Sequence, residues 1–178
     1  MTSERSETHD LLKIYRLITA DQLDSPFSGV GSDRGGRWTS EGSSGVYASL
    51  SPSTALVEFL VHLEGDPPDQ LFLASAWLPG SCLFVPGELP EDWNQRPYRA
   101  HVRAIGDDWS RHRRSLGLRV PSAVCPPDEN VIVNPDHDDF CRLVIAEKLP
   151  MPVDERLRPT SAPEKEKMIE HREPSRTR

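Results

Sequence analysis

The sequence lacks the residues and runs that mark several classes of protein. Its 178 residues include three cysteines, Cys82, Cys125 and Cys141, with no Cys-x-x-Cys pair, so neither a disulfide framework nor a zinc ribbon is expected. No apolar run approaches the roughly 20 residues of a membrane-spanning helix, and the polar residues 1–10 lack the apolar core of a signal peptide. We therefore expect a soluble, reduced, cytoplasmic protein with no membrane partner.

Basic residues are scarce relative to acidic ones. The chain has 28 Asp and Glu against 21 Lys and Arg, and residues 1–150 hold 22 of the acids and 14 of the bases. An acidic body disfavours direct binding to nucleic acid or to an anionic membrane. The arginines from Arg99 to Arg119 form the one basic stretch. Few aromatic residues interrupt it, so we interpret it as a solvated face or an intersubunit contact rather than a nucleic-acid patch.

Length and composition predict one domain over residues 1–150 and a charged, proline-rich, flexible tail over 151–178. The apolar fraction is 36%, with 17 prolines and 11 glycines, which indicates a loop-rich fold. Short predicted strands outnumber helices and do not alternate regularly with them, so the fold class is expected to be α+β. The predicted strands lie at 11–18, 46–50, 71–78, 81–85 and 141–149.

Two helices are predicted. Ser51 as cap and Pro52 at the first position mark the start of one, which runs to about Glu64. The second, short helix is predicted over 106–115 with Asp107 as its cap, after an irregular segment over 88–104.

Two motifs are weak on inspection. The segment 29–34 (GVGSDR) begins like a dinucleotide-binding Gly-x-Gly-x-x-Gly, but Arg34 replaces the last glycine and no βαβ unit surrounds it. The acidic run around His137, residues 136–139, is too short for its side chains to converge on one metal ion. Capping of a turn is the favoured interpretation of that run, and no metal site is predicted.

Four polar residues leave alternatives open. Glu58 borders the apolar stripe of the first helix, where it is either a solvated edge residue or a carboxylate aimed into a cleft. Tyr47, just before the first helix, is expected in the core or at its rim. Arg16, inside an apolar strand, requires an anionic or polar partner. Ser122 lacks a Gly-x-Ser-x-Gly elbow and is not expected to be a hydrolase nucleophile.

Seven short motifs occur in the order that they have in one known family, from Tyr15 to about Phe140. They are Tyr15-Arg16, Gly35-Gly36-Arg37-Trp38, Val46-Tyr47, Ala55-Leu56-Val57-Glu58, Gly106-Asp107-Asp108-Trp109, Val120-Pro121-Ser122-Ala123, and Glu129-Asn130 with Asn134-Pro135-x-His137. Together they resemble the RES domain, the toxin half of Xre–RES toxin–antitoxin pairs. The family usually has Asn after Gly-Gly-Arg-Trp, where this sequence has Thr39.

The resemblance implies an ADP-ribosyltransferase-like fold, with a split, twisted β core around a cleft that holds NAD+ and a few flanking helices. It implies an enzyme that degrades NAD+ by hydrolysis or phosphorolysis, or that ADP-ribosylates a protein; a catalytically silent binding domain is the third reading. Its partner would be an Xre-type helix-turn-helix antitoxin. The expected assembly is a homo-oligomer or a hetero-oligomer with that antitoxin. NAD+ would be substrate, with no prosthetic cofactor.

Carried over residue by residue, the family's signature trio falls on Arg16, Tyr47 and Glu58, with Arg37 and Ser122 also lining the site. These residue types suit NAD+. Arginine binds phosphate or ribose oxygens, and a tyrosine face can stack on the cationic nicotinamide. Because nicotinamide leaves as a neutral molecule, no general acid is needed, and one carboxylate suffices to stabilise the positive ribose.

Overall fold

The computed structural model describes residues 10–28 and 35–157. The segment 29–34 and most of the predicted tail lie outside these ranges, so the tail remains a prediction. The described elements are the strands β1 (Leu11–Thr19), β2 (Val46–Ser49), β3 (Leu71–Pro79), β4 (Leu83–Phe84), β5 (Gly117–Pro121), β6 (Glu129–Val133) and β7 (Val144–Pro150), and the helices α1 (Pro52–Val61) and α2 (Ala100–Arg111).

All seven strands form one mixed, curled sheet in the order β4-β5-β6-β2-β1-β3-β7. Only β4 and β5 pair in parallel among these neighbours. The centre of the sheet is weakly joined, since β1 and β2 share the single register pair Tyr15–Ser49, whereas β1 and β3 pair along nine residues. The α+β class predicted from the sequence is confirmed, with a β core split between β1 and β2.

Alternation along the strands gives the sheet two buried faces. In β6, Val131 and Val133 belong to the first core, which also contains Ile14, Ile18, Val46, Ala48 and Leu116. Ile132 between them belongs to the second core, built with Trp38, Val102, Trp109, Leu118 and Val120. The second core therefore packs α2 and the loop around Trp38 against the β5–β6 half of the sheet.

Helix α1 begins as predicted. Ser51 has extended backbone and its Oγ accepts a hydrogen bond from the Thr54 amide at 3.4 Å, while Pro52 occupies the first helical position. These local signals are sufficient because a cap and a proline at N1 both act within one turn. The helix ends at Val61, with His62 as C-cap, three residues before the predicted end.

Helix α2 differs from the prediction. It spans Ala100–Arg111 rather than 106–115, so Gly106 and Asp107 lie inside it. Asp107 does not cap the helix; its carboxylate accepts hydrogen bonds from the Ser40 amide at 2.8 Å and from the Ser40 and Ser43 hydroxyls at 2.6 and 2.7 Å. Burial would raise the pKa of Asp107, but these donors outweigh it and the pKa is lowered.

Two predicted strands are shorter than expected. Residues 80–82 form a 3₁₀ turn, which leaves a two-residue β4 beside β5. The last strand begins at Val144 rather than at residue 141, because residues 138–142 form a second 3₁₀ turn. His137 caps that turn, its Nδ1 accepting from the Asp139 amide at 3.0 Å, which agrees with the capping interpretation of residues 136–139.

No helix within residues 10–28 or 35–157 has both the length and the apolarity needed to cross a bilayer.

The tight approach of α2 to the Trp38 loop gives a first prediction. A Cβ added at Gly106 would lie 2.0 Å from the Trp38 carbonyl oxygen, so Gly106→Ala forces the helix and the loop apart. Such overpacking should lower the free energy of unfolding by about 1–3 kcal/mol, measured by urea denaturation. Gly87→Ala is the matched control, because no atom lies within 4 Å of its added Cβ. Equal stability of the two variants would contradict the prediction.

Candidate active site

Glu58 lies on α1, and its carboxylate is held by two hydrogen bonds. Its Oε1 accepts from Ser122 Oγ and from Asn130 Nδ2, each at 2.7 Å. Both donors are buried, Ser122 at 0% and Asn130 at 7% exposure. No hydrogen bond reaches Oε2 from the described part of the chain. A carboxylate fixed at one oxygen by two buried donors is held in one position, unlike a solvated edge residue; that it acts in a cleft stays a prediction.

Ser122 positions Glu58. Its hydroxyl donates to Glu58, and its oxygen accepts from the amides of Val124 and Cys125 at 3.2 and 3.0 Å. A serine hydroxyl has one donor and two acceptor sites, so all of its capacity is used within the protein. If Ser122 lines a substrate site, as the resemblance implies, a hydrogen bond from its hydroxyl to a ligand would require one of these three bonds to break.

Asn130 is the site residue that the sequence reasoning did not select. It donates to Glu58 while its Oδ1 accepts from the Ser49 hydroxyl at 2.7 Å. A signal was present, because Asn130 stands in the apolar strand Glu129–Val133, and a polar residue at a buried strand position requires partners. Its neighbour across the sheet supplies one of them, since Ser49 and Asn130 are paired in the register of β2 and β6.

The turn that carries Ser122 is fastened to α1. The Ser122 amide donates to the Asp128 carbonyl at 2.9 Å, and the Asp128 amide donates to the Cys125 carbonyl at 2.8 Å. The Thr54 hydroxyl donates to the Asp128 carboxylate, one helical turn before Glu58. This second contact fixes the distance between the helix and the turn, and hence the geometry of the Ser122–Glu58 bond.

Tyr47 supports the loop formed by residues 35–39. Its Oη accepts from the Trp38 amide at 3.1 Å and lies 3.0 Å from the Thr39 hydroxyl. A Cβ on Gly36 would lie 2.6 Å from that Oη, so only glycine fits there. Burial raises the pKa of Tyr47. Thr39, where the family usually has Asn, is buried and still bonds the ring hydroxyl.

Arg37 extends from this loop toward residues 93–98. Its Nη1 donates to the carbonyls of Trp93 and Gln95, both at 2.9 Å, and its guanidinium lies 4.9 Å from the centre of the Tyr98 ring. Burial lowers the pKa of Arg37, while the charge of Glu58 acts in the opposite direction. Arg37 is therefore within electrostatic range of the Glu58 carboxylate.

Arg16, on β1, is not hydrogen-bonded to the residues that hold Glu58 in the described part of the chain. Its Nη1 donates to the Pro26 carbonyl at 3.0 Å, and burial lowers its pKa to about 10. This carbonyl is the polar partner that an arginine in an apolar strand requires. Ile14 and Ile18, two residues away on β1, belong to the first core, so strand alternation places Arg16 on their face. No hydrogen bond within the described ranges joins it to Glu58.

A cavity of about 440 Å³ lies apart from Glu58, between the loop over residues 40–44 and the C-terminal half of α2. Its lining includes Arg111, Arg113 and Asn134 but none of the site residues predicted from the sequence. The structure therefore joins Glu58 and Ser122 by a hydrogen bond. Tyr47, on β2, bonds the loop that carries Arg37. Arg16 lies outside this hydrogen-bonded group.

Comparison with known proteins finds relatives that match most of this chain. The Toxin Res protein of Photorhabdus laumondii is 36% identical over 149 residues, which cover 81% of this chain and 96% of the relative. The Prs ADP-ribosylating toxin of a Sphingobium species is 34% identical over 131 residues, covering 70% and 79% of the two chains.

A solved structure and a family model extend the comparison. A chain of the MbcT–MbcA toxin–antitoxin complex of M. tuberculosis has the same fold, with a TM-score of 0.62 and 16% identity over 79% of this chain and 84% of that chain. The family model of the RES domain matches residues 13–154. Because that match spans most of the sequence and includes every residue of the Glu58 site, the chain belongs to the RES-domain family.

Proposed function

We propose that this protein is the toxin of a toxin–antitoxin pair and that it breaks the nicotinamide–ribose bond of NAD+. The observation that carries the proposal is the Glu58 carboxylate, fixed through Oε1 by the buried Ser122 and Asn130. Preorganised charge at the point where opposite charge develops is the largest contribution in many enzymes. A carboxylate held in one position therefore suits a reaction whose transition state is cationic.

The reaction needs little proton transfer. The bond between ribose C1′ and the nicotinamide nitrogen breaks, and its electron pair leaves with nicotinamide, which becomes neutral. Positive charge builds on the ribose, as in glycoside hydrolysis. An oxygen of water or phosphate then bonds to C1′, giving ADP-ribose or its phosphorylated form, and water gives up a proton to solvent. One carboxylate suffices because the leaving group needs no proton.

The residues around Glu58 have separate roles in this proposal. Glu58 Oε2 is the oxygen that faces the ribose, binding a ribose hydroxyl and stabilising the developing charge. Tyr47 offers its ring to the cationic nicotinamide, and Arg37 binds phosphate or ribose oxygens. Arg16 bonds the Pro26 carbonyl and no residue of the Glu58 group within the described ranges, so we assign it a secondary binding role.

The partner and compartment belong to the same proposal. One relative is named Toxin Res, and the MbcT–MbcA structure is a toxin–antitoxin complex. We propose that a helix-turn-helix antitoxin of the Xre type covers the Glu58 cleft in the cytoplasm, where NAD+ is shared by many pathways. An unrestrained NAD+-cleaving enzyme requires such a partner.

A second candidate is mono-ADP-ribosylation of a protein. One relative is named an ADP-ribosylating toxin, and the same cationic ribose can be captured by a side chain instead of water. The two reactions share the cleavage step and differ in the acceptor. Incubation of the purified protein with NAD+, with and without phosphate, shows whether water or phosphate is the acceptor, because water gives ADP-ribose and phosphate gives its phosphorylated form.

Replacing Glu58 tests the cleavage step. Glu58→Gln keeps the size and polarity of the side chain but removes its charge, so NAD+ cleavage should fall at least about 100-fold. Glu64→Gln, the same change at an exposed position beyond the end of α1, is the control and should retain the wild-type rate. Release of nicotinamide is the measurement. A Glu58→Gln protein with near-normal turnover would remove this carboxylate from the mechanism.

Residues behind Glu58 should show graded effects on kcat. Asn130→Ala removes one of the two donors to Glu58 and should lower kcat about 10-fold to 100-fold, as expected for a misplaced catalytic group. Ser49→Ala removes only the donor to Asn130 and should cost less. KM should change little, because the contact acts on the transition state. Losses that follow thermal stability rather than this order would indicate a purely structural role.

Expression in bacteria tests the toxin assignment. The chain alone should arrest growth and lower cellular NAD+, while Glu58→Gln should be harmless. Co-expression of the adjacent helix-turn-helix protein should reverse both effects, because a bound partner blocks the cleft. Growth arrest with an unchanged NAD+ pool would instead favour modification of a protein target.

A further inference from the structure

Three arginines surround one tyrosine beside the Glu58 site. The guanidinium carbons of Arg37, Arg96 and Arg103 lie 4.9, 5.5 and 5.6 Å from the centre of the Tyr98 ring. Arg37 comes from the loop after β1, Arg96 from the segment before α2, and Arg103 from α2. We call these four residues the Tyr98 cluster.

The Tyr98 cluster is connected to the helix that carries Glu58. The Tyr98 hydroxyl lies 2.9 Å from His62 Nε2, and His62 Nδ1 lies 2.8 Å from the Glu58 carbonyl oxygen. His62 is the C-cap of α1, one turn after Glu58, and one turn rises about 5.4 Å. The cluster is therefore joined to α1 through His62, and residues four apart on a helix, such as Glu58 and His62, lie on neighbouring positions of its surface.

The positive charge of the cluster is not neutralised by ion pairs. Within residues 10–28 and 35–157, Arg37 and Arg103 donate to backbone carbonyls and Arg96 donates to the Tyr98 hydroxyl. Six other arginines in these ranges have carboxylate partners; the pairs are Arg99–Asp92, Arg113–Asp138, Arg114–Asp108, Arg119–Glu129, Arg142–Asp139 and Arg156–Asp154. Three arginines that meet at one point with no carboxylate partner in the described residues, in a chain with net charge −7, favour an anionic ligand.

The start of α2 adds to the same field. Its N-cap, Arg99, makes no side-chain hydrogen bond to the first turn, and the nearby Asp92 carboxylate bonds the Arg99 and His101 side chains, so no side chain caps the positive end of the helix dipole. Tyr98 immediately precedes this N-cap, and Arg103 lies on the first turns of the helix. The dipole and the guanidinium groups therefore act in the same direction.

We propose that the Tyr98 cluster binds the diphosphate of the dinucleotide substrate. This inference rests on the proposed function, in which Glu58 faces the nicotinamide ribose. In NAD+ the diphosphate is attached to that same ribose, so a phosphate site must lie close to the ribose site. Guanidinium groups bind phosphate oxygens through charge-assisted, often bidentate hydrogen bonds. Tyr98 holds the three groups together and orients them.

Binding of ADP-ribose tests the proposal, because this molecule contains the diphosphate but not the bond that is cleaved. In calorimetric titrations, Arg96→Gln should weaken ADP-ribose binding at least about 10-fold, as expected for loss of one charge-assisted contact. Arg103→Gln should have a similar effect. Arg111→Gln, at the far end of α2, removes the same charge and should bind ADP-ribose like the wild type. Affinity should also fall as salt rises.

A second measurement separates the phosphate contact from the fold of the site. Nicotinamide riboside contains the scissile bond but no phosphate, so its kcat/KM should be the same for wild type and Arg96→Gln, while kcat/KM for NAD+ falls. Tyr98→Phe retains the ring and should weaken ADP-ribose less than Tyr98→Leu. Equal losses with both substrates would mean that the cluster supports the fold only, and would overturn the proposal.

The outcomes distinguish the two proposals. Unchanged ADP-ribose affinity in Arg96→Gln and Arg103→Gln, or no ADP-ribose binding by the wild type, would overturn the diphosphate site whatever the reaction. If the variants weaken binding of the antitoxin but not of ADP-ribose, the cluster belongs to the partner interface. That result would also overturn the diphosphate site. ADP-ribose binding that depends on the cluster, in a protein that leaves NAD+ intact, would support the site while refuting the cleavage reaction.

Discussion

The structure depends on a buried hydrogen-bond arrangement in which three elements meet at one carboxylate. Helix α1 supplies Glu58, the turn after β5 supplies Ser122, and β6 supplies Asn130. Hydrogen bonds to a charged group contribute about 1.5–3 kcal/mol each, and a buried donor left without its acceptor adds a further cost. The same contacts that define the site therefore hold the first helix against the β5–β6 half of the sheet.

A second constraint acts on the loop that carries Arg37. Tyr47 bonds the loop from the sheet through Trp38 and Thr39, while Asp107 on α2 bonds it at Ser40. The loop is thus held both from β2 and from α2. This explains why glycine is required at residue 36, beside the Tyr47 ring, and at residue 106, against the Trp38 carbonyl.

The sequence predicted those features whose signals are local. The start of α1 follows from Ser51 and Pro52, and the α+β class follows from short strands that do not alternate with helices. Helix α2 was displaced in the prediction because Gly106 resembles a helix breaker and Asp107 a cap, although both serve contacts distant in the chain. Asn130 was not predicted as a site residue for the same reason, because its role is set by Ser49 and Glu58, which lie 81 and 72 residues away in the chain.

The hydrogen bonding of Ser122 bears on which chemistry is open to this site. A serine acts as a nucleophile by attacking with a lone pair after a base has taken its proton. Here both acceptor positions of the Ser122 oxygen are occupied by the amides of Val124 and Cys125. The hydroxyl is also fully buried, and its proton is directed at Glu58. Ser122 is therefore disfavoured as a nucleophile, and neither an acyl-enzyme nor a ribose bound to this serine is expected.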